Sequence, residues 1–167
     1  MIEMKVAAIA LDAISRSPII LLKDATERRA LPIYVTQEQA RSIISILEQQ
    51  ESPRPLTHDL MVNIFHVWDL TLEKVIINSI EDHTFYAILC MKHGDSEKNI
   101  DARPSDAIAI ALRVGCPIWV MEEVLADASI PVDSEADKEE MDAFRDFVAD
   151  LSPEDLIRRA KKTNDET

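Results

Sequence analysis

Leu72-Glu-Lys-Val-Ile-Ile-Asn-Ser-Ile80, Glu81-Asp-His83 and Thr84-Phe-Tyr-Ala-Ile-Leu-Cys-Met91 follow one another without a break. Two runs rich in β-branched and aromatic residues flank three polar ones, which is the pattern of an antiparallel hairpin. Downstream, a loop around His93-Gly94-Asp95 leads to a further extended run at residues 98–101. A short helix is then opened by Pro104 at its first position and closed by Gly115 just past its end. Residues 116–121 read as a last buried strand, and Ile130-Pro131-Val132 as an edge segment at best.

The same grammar holds upstream. Residues 5–11, 18–22 and 31–35 are β-rich, and Thr36-x-x-Gln39 is a capping box for the helix that follows. Ala40, Ile43, Ile44 and Leu47 then fall on one helical stripe. Pro53 and Pro55 must break that helix. A second helix is expected from Thr57 to Trp68, with Leu60, Met61, Ile64, Phe65 and Trp68 on one side. Strands in hairpins with helices at intervals specify an α+β fold. The expected sheet is mixed and largely antiparallel, built from two β-β-β-α units consistent with a diverged duplication.

The expected domain covers residues 1–132. From Asp133 the composition shifts to an acidic tail, residues 133–167, expected to be helical. Ser134-x-x-Asp137 and Ser152-Pro-Glu-Asp155 are helix starts, and Met141, Phe144, Phe147, Val148 and Leu151 repeat with helical period.

Charge limits the partners. The chain has 18 Lys+Arg against 31 Asp+Glu, a net −13. Residues 1–132 carry 12 basic and 19 acidic side chains (−7), and residues 133–167 carry 6 and 12 (−6). Such a surface repels nucleic acid at long range, so contact with it needs a local basic patch or a bridging cation. No apolar run approaches the ~20 residues of a membrane span, and residues 1–11 do not form a signal peptide. The expected location is cytoplasmic, without membrane attachment. Cys90 and Cys116 lie in apolar strand contexts and read as reduced thiols.

Gly94 and Gly115 are the whole glycine content, which excludes a Walker loop or a dinucleotide fingerprint. No organic cofactor is expected. There is no H-E-x-x-H, no zinc spacing and no G-x-S-x-G elbow. Two segments concentrate chemistry. Asp101-Ala-Arg103-Pro104-Ser105-Asp106 sets two carboxylates, a guanidinium and a hydroxyl around a helix N-terminus. It would suit an oxyanion or a divalent ion, or else Asp106 merely favours the helix dipole while Arg103 pairs with an acid. Arg54-Pro-Leu-Thr57-His58-Asp59 offers a general base, a ligand and a phosphate clamp. Alternatively, Thr57 is the N-cap, and His58 and Asp59 are first-turn solvent residues.

Read together, Leu31-Pro-Ile-Tyr-Val35, Pro53-Arg-Pro-Leu-Thr-His-Asp-Leu60, Val75-Ile-Ile77, Thr84-Phe-Tyr-Ala-Ile88 and Asp101-x-Arg-Pro-Ser-Asp-Ala-Ile108 resemble the bifunctional nuclease domain family. Val35-Thr-Gln-Glu-Gln-Ala40 departs from the family's usual Ile-Gly and Glu-Ala. The resemblance implies cleavage of DNA and RNA. On that reading His58, Asp59, Asp101 and Asp106 are the catalytic set, with His58 as acid or base. Arg54, Arg103 and Ser105 would bind substrate, and Asp59, Asp101 and Asp106 would hold a divalent ion, Mg or Mn. The alternative is a non-catalytic module that binds an anion or a partner. A homo-oligomer is expected, because Ile43, Phe65, Trp68, Trp119 and the apolar stripe of the tail exceed what a thin sheet can cover on both faces.

Overall fold

Every strand expected between residues 5 and 121 forms, and all of them join one sheet. The computed structural model describes residues 1–26 and 28–132; the expected tail helices lie outside the described residues. The elements are β1 (Ile2–Leu11), β2 (Pro18–Asp24), β3 (Arg29–Tyr34), α1 (Gln37–Leu47) and α2 (Thr57–Val67). They continue with β4 (Thr71–Glu81), β5 (Thr84–His93), β6 (Ser96–Ala102), α3 (Pro104–Val114), β7 (Ile118–Val120), α4 (Glu122–Ala128) and β8 (Ile130–Pro131).

The eight-stranded order is β6-β5-β4-β7-β1-β2-β3-β8. Two antiparallel meanders, β1-β2-β3 and β4-β5-β6, therefore run outward from the short strand β7. That strand pairs antiparallel with β1 and parallel with β4, which makes the sheet mixed and mostly antiparallel. The fold is α+β. Met4, Leu22, Leu31, Val75, Ile77, Leu89 and Val120 are buried on one face of the sheet.

The helix layer is centred on α3. Its run Ala107-Ile-Ala-Ile-Ala111 is buried at every position, so this middle stretch is apolar all round, as an enclosed one is. The alanines let α1 and α2 pack closely on it while it rests on β4 and β5. Thr36 and Gln39 close the expected capping box: Gln39 N–H donates to Thr36 Oγ1 and Thr36 N–H to Gln39 Oε1. Pro104 opens α3, and Gly115 ends it with φ of 79°, the left-handed conformation that a residue without Cβ adopts freely.

Two local readings change. Leu56, not Thr57, is the N-cap of α2, because Asp59 turns back and its Oδ2 accepts the Leu56 N–H at 2.8 Å. The seven-residue α4 also had no clear signal. It offers only Val124 and Leu125 as buried apolar residues, too few to reveal a helical period. Beyond it, Ile130–Pro131 pairs with β3 as the edge strand.

Candidate functional site

Three helices meet over a small polar junction. The first turn of α2 brings His58, the first turn of α3 brings Asp106, and the middle of α1 brings Ser42. His58 Nδ1 lies 2.7 Å from Ser42 Oγ, and its Nε2 lies 3.0 Å from Asp106 Oδ1. On the far side of the carboxylate, Arg103 Nε donates to Asp106 Oδ2 at 2.6 Å. The imidazole is well enclosed, with 14% of its side chain exposed against 25% for Asp106 and 68% for Arg103. The chain of contacts thus runs from a half-buried hydroxyl to a guanidinium in solvent.

Chemistry fixes the protons. Burial pushes the Asp106 carboxyl up, but hydrogen bonds from Arg103 and His58 and the charge of Arg103 outweigh it and hold the group below its ordinary value. An ionised carboxylate only accepts, so His58 Nε2 carries a hydrogen towards it. In the neutral ring Nδ1 is then bare, and the Ser42 hydroxyl donates to it.

A second network adjoins the first. Arg113, in the last turn of α3, donates from Nε to Asp59 Oδ1 at 2.5 Å. Its Nη1 donates to the carbonyls of Ser42 and Ala109, and its Nη2 to Ser45 Oγ. Only 6% of the Arg113 side chain is exposed. That bond holds Asp59 below the usual carboxylate range against an opposing burial effect. Ser42 belongs to both networks, through its hydroxyl and through its carbonyl.

The residues singled out in the sequence divide. His58, Asp106 and Arg103 come together, and Asp59 joins the neighbouring network beside Arg113. Asp101 does not join them. It lies on β6 and pairs with Ile88 of β5, and strand alternation turns it to the face opposite the buried Ala87 and Leu89. Ser105 is 5% exposed and so lies beneath the surface. Arg54 is exposed in the segment between α1 and α2. Asp59, Asp101 and Asp106 do not form a common ligand set. Among the described residues no group of three or more His, Cys, Asp or Glu side chains is placed to hold a metal ion. Asp59 and Asp106 already spend their oxygens on arginine, histidine and backbone donors, so these donors do not fit a shared divalent ion as they stand.

Ser42 and Arg113 escaped the sequence reading. Ser42 and Ser45 fall on the side of α1 away from the stripe of Ala40, Ile43, Ile44 and Leu47, so the apolar period did not point to them.

The described domain thus sets an ionised carboxylate, an imidazole and an exposed guanidinium in line at a helix N-terminus. The chain belongs to the bifunctional nuclease domain family, whose model matches residues 20–133. Two relatives from Mycobacterium tuberculosis, Rv1829 of strain H37Rv and MT1877 of strain CDC 1551, are each described as uncharacterized. Each is 40% identical over 164 residues, covering 92% of this chain and 97% of the relative. No described helix is long and apolar enough to cross a membrane.

Proposed function

We propose that this chain hydrolyses phosphodiester bonds of DNA and RNA at the three-helix junction. The observation that carries the reading is the line Arg103–Asp106–His58 in a domain of the bifunctional nuclease family. Arg103 offers its exposed guanidinium to a phosphate oxygen, and Arg54 supplies a second positive charge from the neighbouring segment. Asp106 orients His58 and stabilises the imidazolium formed when the ring takes a proton. With a net charge of −13, binding rests on these few contacts, and the expected affinity for nucleic acid is low. Asp59 and Asp106 are already committed to arginine, histidine and backbone donors, and dependence on Mg or Mn is tested in the assay. The proposed setting is the cytoplasm.

The test is cleavage of end-labelled DNA and RNA oligonucleotides by the full chain, in Mg, in Mn and in a chelator. Cleavage of both substrates is expected, falling roughly 100-fold or more in His58→Ala with the circular dichroism spectrum unchanged. If wild-type protein leaves both substrates intact in all three conditions, the nuclease reading is lost.

A second reading has its own support: every titratable member of the junction is already paired, as in a purely structural tie. The chain would then bind an anion or a partner without reacting. Retention of oligonucleotide without cleavage, weakened in Arg103→Ala, would select it. In either case we propose self-association through α2. Leu60, Ile64, Val67 and Trp68 are exposed along one side of it, and Asp59 is the only acid in the helix. Two strongly acidic copies approach with least repulsion there.

A further inference from the structure

Both ring nitrogens of His58 are occupied, one by Asp106 and one by Ser42. An imidazole so held has no free nitrogen for a water molecule. The one proton it can accept without breaking a contact is that of the Ser42 hydroxyl. From this geometry we infer that Ser42 is the nucleophile of the junction and that hydrolysis passes through a covalent phosphoserine. The inference rests on the hydrolase reading above and assigns its reacting atom.

The arrangement has the parts that an activated hydroxyl requires: a nucleophile within hydrogen-bond reach of a base, and a third group orienting the base. Its wiring is the reverse of the familiar serine-protease triad, since Ser42 meets Nδ1 and Asp106 meets Nε2. Function follows geometry and protonation rather than atom label. Asp106 is kept ionised by Arg103, Nε2–H points at it, and Nδ1 is the basic site. The carbonyl of Ser42 accepts from Arg113 Nη1 and from Ser45 Oγ at 2.9 Å. The residue's backbone is therefore anchored while its hydroxyl faces the ring. A side chain serving only to cap or fill α1 has no need of such fixing at both ends.

The step balances as follows. Ser42 Oγ bonds to phosphorus as Nδ1 takes its proton. The bond from phosphorus to the leaving ester oxygen breaks, and that oxygen takes the proton from Nδ1. Water then gives a proton to Nδ1 and its oxygen to phosphorus, the bond to Ser42 Oγ breaks, and the serine recovers its proton. Arg113, whose Nη1 donates to the Ser42 carbonyl, is the cation in contact with the nucleophile's own residue, whereas Arg103 stands beyond Asp106 at the other end of the line.

The full chain is treated with diisopropyl fluorophosphate, which transfers a phosphoryl group to an activated hydroxyl with loss of fluoride, and the adduct is mapped by peptide mass spectrometry. A single adduct on Ser42 is expected, absent in Ser42→Ala and formed at least about 100-fold more slowly in His58→Ala and Asp106→Asn. Wild-type protein without an adduct on Ser42, or with one formed equally fast in folded His58→Ala, overturns the inference. Oligonucleotide cleavage is followed in parallel. Cleavage by Ser42→Ala at the wild-type rate also overturns it, and leaves the nuclease reading standing. An adduct dependent on His58 in protein that cuts no oligonucleotide supports the activated serine and removes nucleic acid as its substrate.

Discussion

Arg113 does the most structural work of any single side chain near the junction. It is almost wholly enclosed, and it satisfies a carboxylate, two carbonyls and a hydroxyl on two helices besides its own. Truncation leaves the carbonyl of Ser42 with the Ser45 hydroxyl as its remaining side-chain donor and Asp59 without its cation. Arg113→Ala is therefore expected to cost about 2–4 kcal/mol in urea unfolding, near the lower end because Asp59 is partly in solvent. Arg113→Lys restores the charge but not the planar fork, and should recover less than half of the loss. Asp106 gives a pH prediction. Its folded value lies below the ordinary 3.8, so its contribution is whole above about pH 5 and is lost as pH falls through the folded value. The stability difference between wild type and Asp106→Asn, read by urea melts from pH 7 to pH 3, should accordingly be constant at first and shrink in the acid range. A difference that grew towards acid would mean that the carboxyl is not held ionised. Little of this junction was legible beforehand, because its pairings reach across the chain. Ser42 meets His58 sixteen positions away and Asp59 meets Arg113 fifty-four away, and no local pattern encodes either contact.

Elements whose signals are local behave differently. The capping box of α1 depends on residues three apart, and the end of α3 on one glycine, so both were readable before any tertiary structure was known. Thr36→Ala removes the hydroxyl that accepts the Gln39 N–H and is expected to cost about 1 kcal/mol of thermal or urea stability. Gly115→Ala tests the other end. Nothing lies within 4 Å of the Cβ it would gain, so the whole penalty is the left-handed backbone, about 1–2 kcal/mol. A larger loss would mean that the added methyl meets a neighbour. Where local information was thin the reading stopped short. α4 is too brief to display a period, and the N-cap of α2 was misplaced because a carboxylate three residues on served the backbone in place of the threonine hydroxyl.

At the scale of the whole molecule, the eight strands found among the described residues lie between Ile2 and Pro131. Deleting residues 133–167 removes none of them, so the truncated chain should keep one cooperative unfolding transition by calorimetry. Loss of that transition would place the tail inside the folding unit. The exposed side of α2 supplies a further measurement. Sedimentation of the full chain at micromolar concentration should give more than a monomer mass, and Leu60→Glu with Ile64→Glu should lower it by adding charge at the centre of the stripe. The strand order was the least legible feature at this scale. Hairpin partners announce themselves by proximity in sequence, whereas the place of β7 between β1 and β4 is decided only when two distant meanders meet. That placement also bears on how the chain is made. Residues 2–34 and 71–102 leave the ribosome before Ile118, Trp119 and Val120, so the nascent protein holds two half-sheets with the inner flanks of β1 and β4 still unpaired. A keystone of three residues, delivered late, closes both flanks at once, and a chain stalled before it presents two open β edges to its neighbours.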